Sequence, residues 1–265
     1  MLTNAILIKL GGSVITHKES SPPAVDKSTI QRIAKELRAV SEPIIVVLGG
    51  GAHGHQAAHI YGYGNPDTPQ SKLLQGIPAI RHNMNELAQT VETVFHSEGL
   101  SSVVISPFSA ALLEDKQIIR FSTDIISRTI SAGHIVITHG DVCFDTKRGA
   151  SILSGDTIVV FLSQNLNIHR VFIGTDVDGI FNKDPRRYSE AKLIPTVNQQ
   201  NIKHVLELAG PSDSTDVTGG MAKKMRDLVS LSGLGTKVTI FNLRVSGNLG
   251  RLLRGEQIPC TEVVL

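Results

Sequence analysis

The chain has 265 residues, of which 41% are hydrophobic and 19% charged, the composition of an ordinary globular protein. Lys and Arg together number 26 and Asp and Glu 24, so the net charge of +2 gives no reason to expect a nucleic-acid partner. Only 4% of the residues are aromatic and none is Trp, which also argues against a surface that stacks bases. Any binding of anions must therefore depend on local features.

The cysteines and the apolar segments indicate the compartment. Cys143 and Cys260 form no C-x-x-C motif and are predicted to be reduced thiols. Met1–Leu10 carries no basic leader and is interpreted as a first strand, not a signal peptide. No apolar run approaches the ~18 residues that would indicate a transmembrane helix. These features predict a cytoplasmic protein that makes no membrane contact.

Short apolar runs alternate with segments of helical period along the chain. Strands are predicted at Ala5–Leu10, Ile44–Leu48, Val103–Ile105, Ile135–Thr138, Val171–Gly174 and Lys237–Phe241. Helices are predicted after the capping residue Asp26 and at His82–Glu98, Thr123–Ala132, Gly155–Asn165 and Met221–Ser232, with a loop at Tyr61–Lys72. This alternation predicts an α/β fold, in which helices cover both faces of a mainly parallel central sheet. Ligands of such sheets bind at the carboxyl ends of the strands.

The first predicted strand ends in Lys9-Leu10-Gly11-Gly12-Ser13. An unpaired ammonium is costly to bury, so a lysine in a central strand indicates an anion at the turn that follows it. If the strand instead lay at an edge of the sheet, Lys9 would simply extend into solvent.

The second predicted strand ends in Gly49-Gly50-Gly51-Ala52-His53-Gly54-His55. Consecutive glycines expose backbone N–H groups with no Cβ in the way and are typical of a phosphate cradle. The segment also satisfies G-x-G-x-x-G, but Asp67, the only acidic residue at the right distance, lies in a predicted loop, which argues against a dinucleotide site. His55 and His59 are spaced i, i+4, yet Gln56 stands where a zincin has Glu, so metal binding is not favoured.

Three later turns carry further candidates. Ser154-Gly155-Asp156 opens a predicted helix, with Asp156 either a cap or a carboxylate that orients lysines. Thr175-Asp176-Val177-Asp178-Gly179 follows a strand and suits ribose hydroxyls, magnesium-bound water or a simple Asx turn. Asp216–Lys224 places Gly219-Gly220 before a helix with two lysines in its first turns, which the helix dipole disfavours unless a phosphate binds there.

In this order, these segments and Gly140-Asp141 resemble the amino acid kinase family from residue 9 to residue 224. In having a histidine after Gly54, the chain resembles the branch of the family that contains isopentenyl phosphate kinases and fosfomycin kinases. Ile15-Thr16-His17-Lys18 and the string Asp216–Met221 favour the former. The chain differs from the family pattern at Leu48, Ala52 and His53, where His, Ser and an aromatic residue are usual.

The resemblance implies a single domain over residues 1–265, folded as a three-layer αβα open sandwich and assembled as a homodimer. Residues 1–150 would form the acceptor-binding half and residues 151–265 the nucleotide-binding half. It implies ATP with Mg²⁺ as co-substrate, without a prosthetic group or a resident metal. The implied catalytic residues are Lys9, Lys18, His55, Asp156 and Lys224. The implied acceptor contacts are Gly50, Gly54, His55 and Gly155. The implied ATP contacts are Lys9, Gly11, Gly12, Ser13, Gly51, Asp176, Asp178, Gly179, Gly220 and Lys224.

The activity that the resemblance implies is phosphorylation of isopentenyl phosphate to isopentenyl diphosphate by direct in-line transfer, a step of isoprenoid biosynthesis in an alternative mevalonate route. A phosphate monoester is already an anion near neutral pH, so it needs positive charge and no catalytic base. Alternatives are a kinase of fosfomycin or another small phosphonate, or a non-catalytic nucleotide-binding protein of the same fold. Acetylglutamate and carbamate kinases fit less well because His55 would have no task. The acceptor tail is expected against the helix around Met84–Phe95 or near Phe108.

Overall fold

The computed structural model describes residues 5–17, 23–208 and 235–264. The strands are, in chain order, β1 Ala5–Leu10, β2 Thr16–His17, β3 Ala24–Val25, β4 Ile44–Leu48, β5 Ser102–Val104, β6 Ala111–Glu114, β7 Gln117–Phe121, β8 Ile135–His139, β9 Asp141–Asp145, β10 Gly149–Leu153, β11 Ile168–Thr175, β12 Ile180–Phe181, β13 Leu193–Ile194, β14 Thr196–Asn198, β15 Lys237–Asn242 and β16 Cys260–Val264. The helices are α1 Gly12–Ile15, α2 Lys27–Leu37, α3 Gly51–Ile60, α4 Gln70–Ser97, α5 Pro107–Ala110, α6 Thr123–Ser131, α7 Gly155–Asn165, α8 Ile202–Leu208 and α9 Asn248–Leu253.

Among the residues that the structure describes, the central sheet has eight strands in the order β14-β16-β15-β11-β1-β4-β8-β5. Neighbouring strands run parallel except β15 and β16, which pair antiparallel. β1 lies in the middle of this sheet, which excludes the edge-strand interpretation of Lys9. The predicted α/β class with a mainly parallel sheet is confirmed.

Apolar side chains alternate between the two faces of the sheet. Ile6, Ile8 and Leu10 of β1 face one core, to which α2, α3 and α4 also contribute. Ala5 and Leu7 face a second core, which contains residues of α6 and α7. Because helices bury both faces of the sheet, the molecule has three layers, as the sequence predicted.

Helix α4 is far longer than the predicted helix at His82–Glu98 and takes in the end of the predicted loop at Tyr61–Lys72. It has 28 residues and contains Pro78. Its apolar stripe continues towards the N-terminus through Leu73 and Ile77, which pack against the core. This packing outweighs the helix-breaking signals of glycine and proline.

Sequence reasoning also missed a second sheet, whose strand order is β10-β9-β6-β7. Its β6–β7 turn contains no glycine, although Asp115 and Lys116 adopt φ values of 45° and 68°. The Asp145 carboxylate accepts hydrogen bonds from the backbone N–H groups of both residues, at 3.0 and 2.8 Å. A side chain 30 residues away therefore stabilises a turn that local sequence signals do not reveal.

Other predicted elements agree within a few residues, and Asp26 caps α2 by accepting from the Thr29 N–H at 3.0 Å. Met221–Ser232 lies outside the described residues. Within the described part of the chain, no helix is both long enough and apolar enough to cross a membrane.

Candidate active site

The glycine turns after β1 and β4 lie side by side at the carboxyl edge of the central sheet. Backbone hydrogen bonds continue beyond the strands: Gly11 N donates to Gly174 O, and Gly49 N donates to Leu10 O, both at 2.9 Å. On the far side of β4, Gly140 N donates to Leu48 O, again at 2.9 Å. Four turns separated in sequence are thereby brought to one edge.

The two turns that begin at Gly11 and Gly49 touch backbone to backbone. A Cβ on Gly12 would lie 2.2 Å from Gly51 N, far inside ordinary van der Waals contact. Gly51 has a φ of 50°, a left-handed conformation that favours glycine. Thr16 fixes the contact, because its Oγ1 donates to Gly12 O at 2.8 Å and accepts from Ala52 N at 3.2 Å. Side chains at Gly12 or Gly51 would push the turns apart.

Lys9 lies in β1, two residues before the first of these turns. It points to the α7 face of the sheet, where its Nζ is 2.6 Å from Oδ1 of Asp156. The two side chains are only 7% and 16% exposed. Gly155 lies close to this pair: a Cβ there would be 3.5 Å from Lys9 Cε, an ordinary contact, and 3.2 Å from Leu48 O, a tight one. The sequence prediction that Asp156 orients a lysine agrees with this geometry.

The segment from Gly51 to His55 is helical, whereas the sequence predicted a loop. Gly50 is the N-cap of α3, so His55 lies about one turn inside the helix. Backbone N–H groups of a first helical turn have no carbonyl of a preceding turn to bond, which makes this end of α3 suitable for an anion. Gly54 is also a packing residue, since a Cβ there would lie 3.2 Å from Met84 Sδ of α4.

His53 differs sharply from His55 in its environment. It is 1% exposed, and within the described residues neither ring nitrogen has a hydrogen-bond partner. Burial lowers the pKa of His53, and Glu86 opposes this shift. A neutral, buried imidazole fits the position where the resemblance expects an aromatic ring. His55, by contrast, is half-buried, and it stays the histidine that is predicted to face an acceptor.

The predicted nucleotide-side residues lie at the carboxyl end of β11. Asp176 accepts from Nη2 of Arg186 at 3.2 Å, and Asp178 accepts from Nδ2 of Asn242 at 3.1 Å. A Cβ on Gly179 would meet Thr261 Oγ1 at 2.4 Å, so Gly179 packs against β16. The Ser13 carbonyl accepts from the Arg244 guanidinium. Lys18, Gly220 and Lys224 lie outside the described residues.

Sequence reasoning missed the role of Arg81, a residue of α4. Its Nη1 contacts Oδ2 of Asp141, and it also donates to Ser106 Oγ at 2.8 Å. The Asp141 side chain is completely buried. Burial raises the pKa of Asp141 to about 7, and the Arg81 guanidinium opposes this shift. The Gly140-Asp141 motif was visible in the sequence, but nothing marked Arg81 as its partner.

The acceptor tail was expected against the α4 stripe at Met84–Phe95, and this stays a prediction, although the stripe is packed into the core. Met84, Leu87, Val91 and Phe95 are buried in the core. They serve to pack α4 onto the sheet and α2. The alternative place for the tail, near Phe108, stays a prediction.

The amino acid kinase family model matches residues 4–242. The chain belongs to the amino acid kinase family. The isopentenyl phosphate kinase of Methanothermobacter thermautotrophicus is 32% identical over 264 residues, which cover 97% of this chain and 98% of that protein. The isopentenyl phosphate kinase of Haloferax volcanii is also 32% identical, over 85% of this chain and 88% of that protein. A solved structure of isopentenyl phosphate kinase superposes with a TM-score of 0.85 at 30% identity, over 98% of this chain and 100% of that one.

Proposed function

We propose that this chain transfers the γ-phosphoryl group of ATP to isopentenyl phosphate, giving isopentenyl diphosphate and ADP. The reaction is a phosphotransfer to a phosphate acceptor and a step of isoprenoid biosynthesis. The observation that carries the proposal is the contact of the two glycine turns close to a buried lysine of β1, at the edge of the sheet where ligands of parallel sheets bind. The isopentenyl phosphate kinases that cover nearly the whole chain support the choice of acceptor.

The arrangement fits transfer between two anions. Lys9 is a buried cation that is held by Asp156, so little reorganisation would be needed when charge develops. A phosphate monoester attacks through an oxygen that is already anionic near neutral pH, because its second pKa is about 6. The reaction therefore requires no carboxylate base. Catalysis would rest on alignment of the two groups and on positive charge, without a covalent intermediate.

The acceptor phosphate would bind at the N-terminal end of α3. Gly50 and Gly54 pack closely against each other and against Met84 there, and His55 lies on the first turns of the helix. Gly155, at the start of α7, would supply a further amide from the other side. Gly50, Gly54 and His55 belong to the proposed acceptor half, about residues 1–150. Gly155 lies just beyond the boundary of that half.

The donor would lie across β1 and β11, with Lys9, Gly11, Gly12, Ser13 and Gly51 near its phosphates. Asp176, Asp178 and Gly179 would contact the nucleoside side, within a nucleotide half of about residues 151–265. Lys18, Gly220 and Lys224 complete the proposed catalytic and ATP-binding set. Mg²⁺ would act as a counter-ion held mainly by the ATP phosphates. When bound, Mg²⁺ neutralises phosphate charge.

We also propose that the protein is a cytoplasmic homodimer, because the family resemblance implies that assembly. Light scattering coupled to gel filtration tests it. A mass of about twice the 28.5 kDa of the chain is expected, and a monomer at micromolar concentration would contradict it.

The test of the function is an ADP-release assay with four acceptors in parallel: isopentenyl phosphate, dimethylallyl phosphate, fosfomycin and acetylglutamate. The highest kcat/KM is expected with isopentenyl phosphate. A preference for fosfomycin would show that the proposed acceptor is wrong and that the proposed reaction type, phosphoryl transfer from ATP, is right. ATP binding without turnover of any acceptor would indicate a non-catalytic nucleotide-binding protein.

A further inference from the structure

A buried polar cluster lies beside the proposed acceptor site and has no part in the mechanism described so far. It consists of Arg81 of α4, Ser106 before α5, His139 at the end of β8 and Asp141 at the start of β9. Arg81 Nη1 contacts Asp141 Oδ2 and Ser106 Oγ, and its guanidinium carbon lies 4.9 Å from the centre of the Phe108 ring. The other Asp141 oxygen, Oδ1, accepts from Val142 N at 2.8 Å. One ion pair thereby joins four elements.

Gly140 is held on one side by Leu48 and on the other by His139 of this cluster. Gly140 N donates to Leu48 O at 2.9 Å, next to the glycine turn after β4. His139 Nδ1 lies 3.1 Å from Gly140 O and 3.6 Å from Asp141 Oδ2. Because both neighbours are oxygen acceptors, Nδ1 must carry the ring proton and donate to Gly140 O. Every polar backbone group of Gly140 is therefore fixed.

Gly140 in turn lies against the start of α7. A Cβ on Gly140 would lie 3.1 Å from Gly155 N, and a Cβ on Gly155 would lie 3.2 Å from Leu48 O. Asp156, the next residue, is the carboxylate that contacts Lys9. A displacement of Gly140 would therefore move the Gly155 amide and, with it, the start of the helix that carries Asp156.

We propose that Arg81 and Asp141 are positioning residues for the acceptor: their ion pair, with His139, sets Gly140 against Gly155 and so places the Gly155 amide for the acceptor phosphate. The inference rests on the proposed function for the identity of the acceptor. The geometric part of the inference is that the position of Gly155 depends on Asp141, and this part does not rest on the proposed function.

A purely structural role predicts a different outcome, and this difference can be measured. Burying two charges is costly, so replacing both members of such a pair by apolar residues of similar size often leaves stability unchanged or raises it. A device that only held the fold together would therefore be replaceable by an apolar pair. A positioning device would not, because alignment errors of about 1 Å or less already reduce the rate of phosphoryl transfer.

The experiment compares Asp141→Asn, Arg81→Lys and the double variant Arg81→Met/Asp141→Leu with wild type at about pH 8, above the pKa of about 7 to which burial raises Asp141. KM for isopentenyl phosphate is expected to rise about tenfold or more in Asp141→Asn, while KM for ATP changes less than about threefold. Arg81→Lys, which keeps the charge, should recover part of the loss. The double variant is expected to regain the wild-type Tm and retain the acceptor defect.

Glu98→Gln is the matched control. Glu98 is also a buried carboxylate in an ion pair, 3.3 Å from Arg38 Nη2, but it joins α2 to the end of α4. This variant should lower Tm without changing either KM. The inference is overturned if the double variant recovers both Tm and the acceptor KM, or if Glu98→Gln shows the same acceptor defect.

A readout without catalysis separates this inference from the proposed function. In protein labelled with ¹⁵N-glycine, the amide signals of Gly140 and Gly155 should shift in Asp141→Asn and stay in place in Glu98→Gln. Unmoved signals in Asp141→Asn would overturn the positioning role even if the enzyme is active. Shifted signals in a protein that phosphorylates no acceptor would uphold the geometry and refute the function.

Discussion

Replacing Asp156 by Asn tests the most central contact of the proposed site. The change keeps the shape of the side chain and removes the negative charge 2.6 Å from Lys9 Nζ. At an effective dielectric constant of about 20, two unit charges at this distance attract by about 6 kcal/mol. Desolvation offsets part of this, and breaking a buried pair costs about 3–5 kcal/mol in practice. Since the Asp156 side chain is still 16% exposed and Asn keeps an acceptor oxygen, we expect a loss of about 2–3 kcal/mol.

Two measurements follow from this value. Unfolding of Asp156→Asn should occur roughly 5–10 °C below wild type, because 1 kcal/mol corresponds to about 2–4 °C for a domain of this size. If a similar free energy is lost from the transition state, kcat/KM in the ADP-release assay should fall about 100-fold, since each ~1.36 kcal/mol is a factor of ten. Activity is measured well below the midpoint of unfolding, so that the two effects remain separate.

The matched control is Glu42→Gln. Glu42 contacts Arg170 at the same distance, 2.6 Å, but this pair lies near the amino ends of β4 and β11, at the opposite edge of the sheet. Its side chains are 31% and 37% exposed, so a loss below about 1 kcal/mol and unchanged kinetics are expected. Asp156→Asn with wild-type kcat/KM would refute the reasoning, as would an equal kinetic loss in Glu42→Gln.

Three further predictions concern single residues of the site and its support. His55→Ala should lower kcat/KM about 100-fold or more, as the loss of a charge-stabilising donor does. His59 is exposed on the same helix, so His59→Ala should match wild type. Equal kinetics in both variants would contradict the role of His55. Gly12→Ala should abolish activity, because the new methyl group would lie 2.2 Å from a backbone nitrogen of the neighbouring turn. Gly250→Ala, where a methyl group would meet only side-chain atoms at 3.3 Å or more, is the control. An active Gly12→Ala enzyme would disprove the contact. Burial would raise the pKa of Asp145, but backbone N–H groups and a Ser hydroxyl that donate to it lower its pKa to about 2, so its contribution to stability is complete above about pH 4 and is lost as the pH falls through 2. Asp145→Asn should therefore be less stable than wild type by about 1–2 kcal/mol in urea unfolding at pH 7, and this difference in stability should narrow towards pH 2. A difference that stays constant with pH would contradict the assignment.

The frame of the fold and part of the geometry of the candidate site could be predicted from the sequence. Strands that end in glycine pairs are a local signal, and a parallel sheet brings their carboxyl ends together whatever lies between them. For this reason the glycine pairs alone are enough to predict that Lys9, Gly12 and Gly51 share one edge. Asp156 follows from the same logic, because it opens the helix after another such turn.

The parts that were missed depend on contacts distant in sequence. Arg81 looks like any basic residue of an amphipathic helix, and only the fold shows that it meets Asp141, 60 positions later. The burial of His53 depends on how α3 packs, and the glycines around His53 leave no apolar pattern from which this packing could be predicted. The start of α3 at Gly51 was also missed, since three consecutive glycines favour a loop.

The central claim, transfer of phosphate to phosphate, is tested most directly by ³¹P NMR of the product. Protein incubated with ATP, Mg²⁺ and isopentenyl phosphate should convert the single monoester resonance into two coupled diphosphate resonances, with ADP formed in equal amount. Release of ADP with inorganic phosphate, while the monoester resonance stays unchanged, would contradict the account.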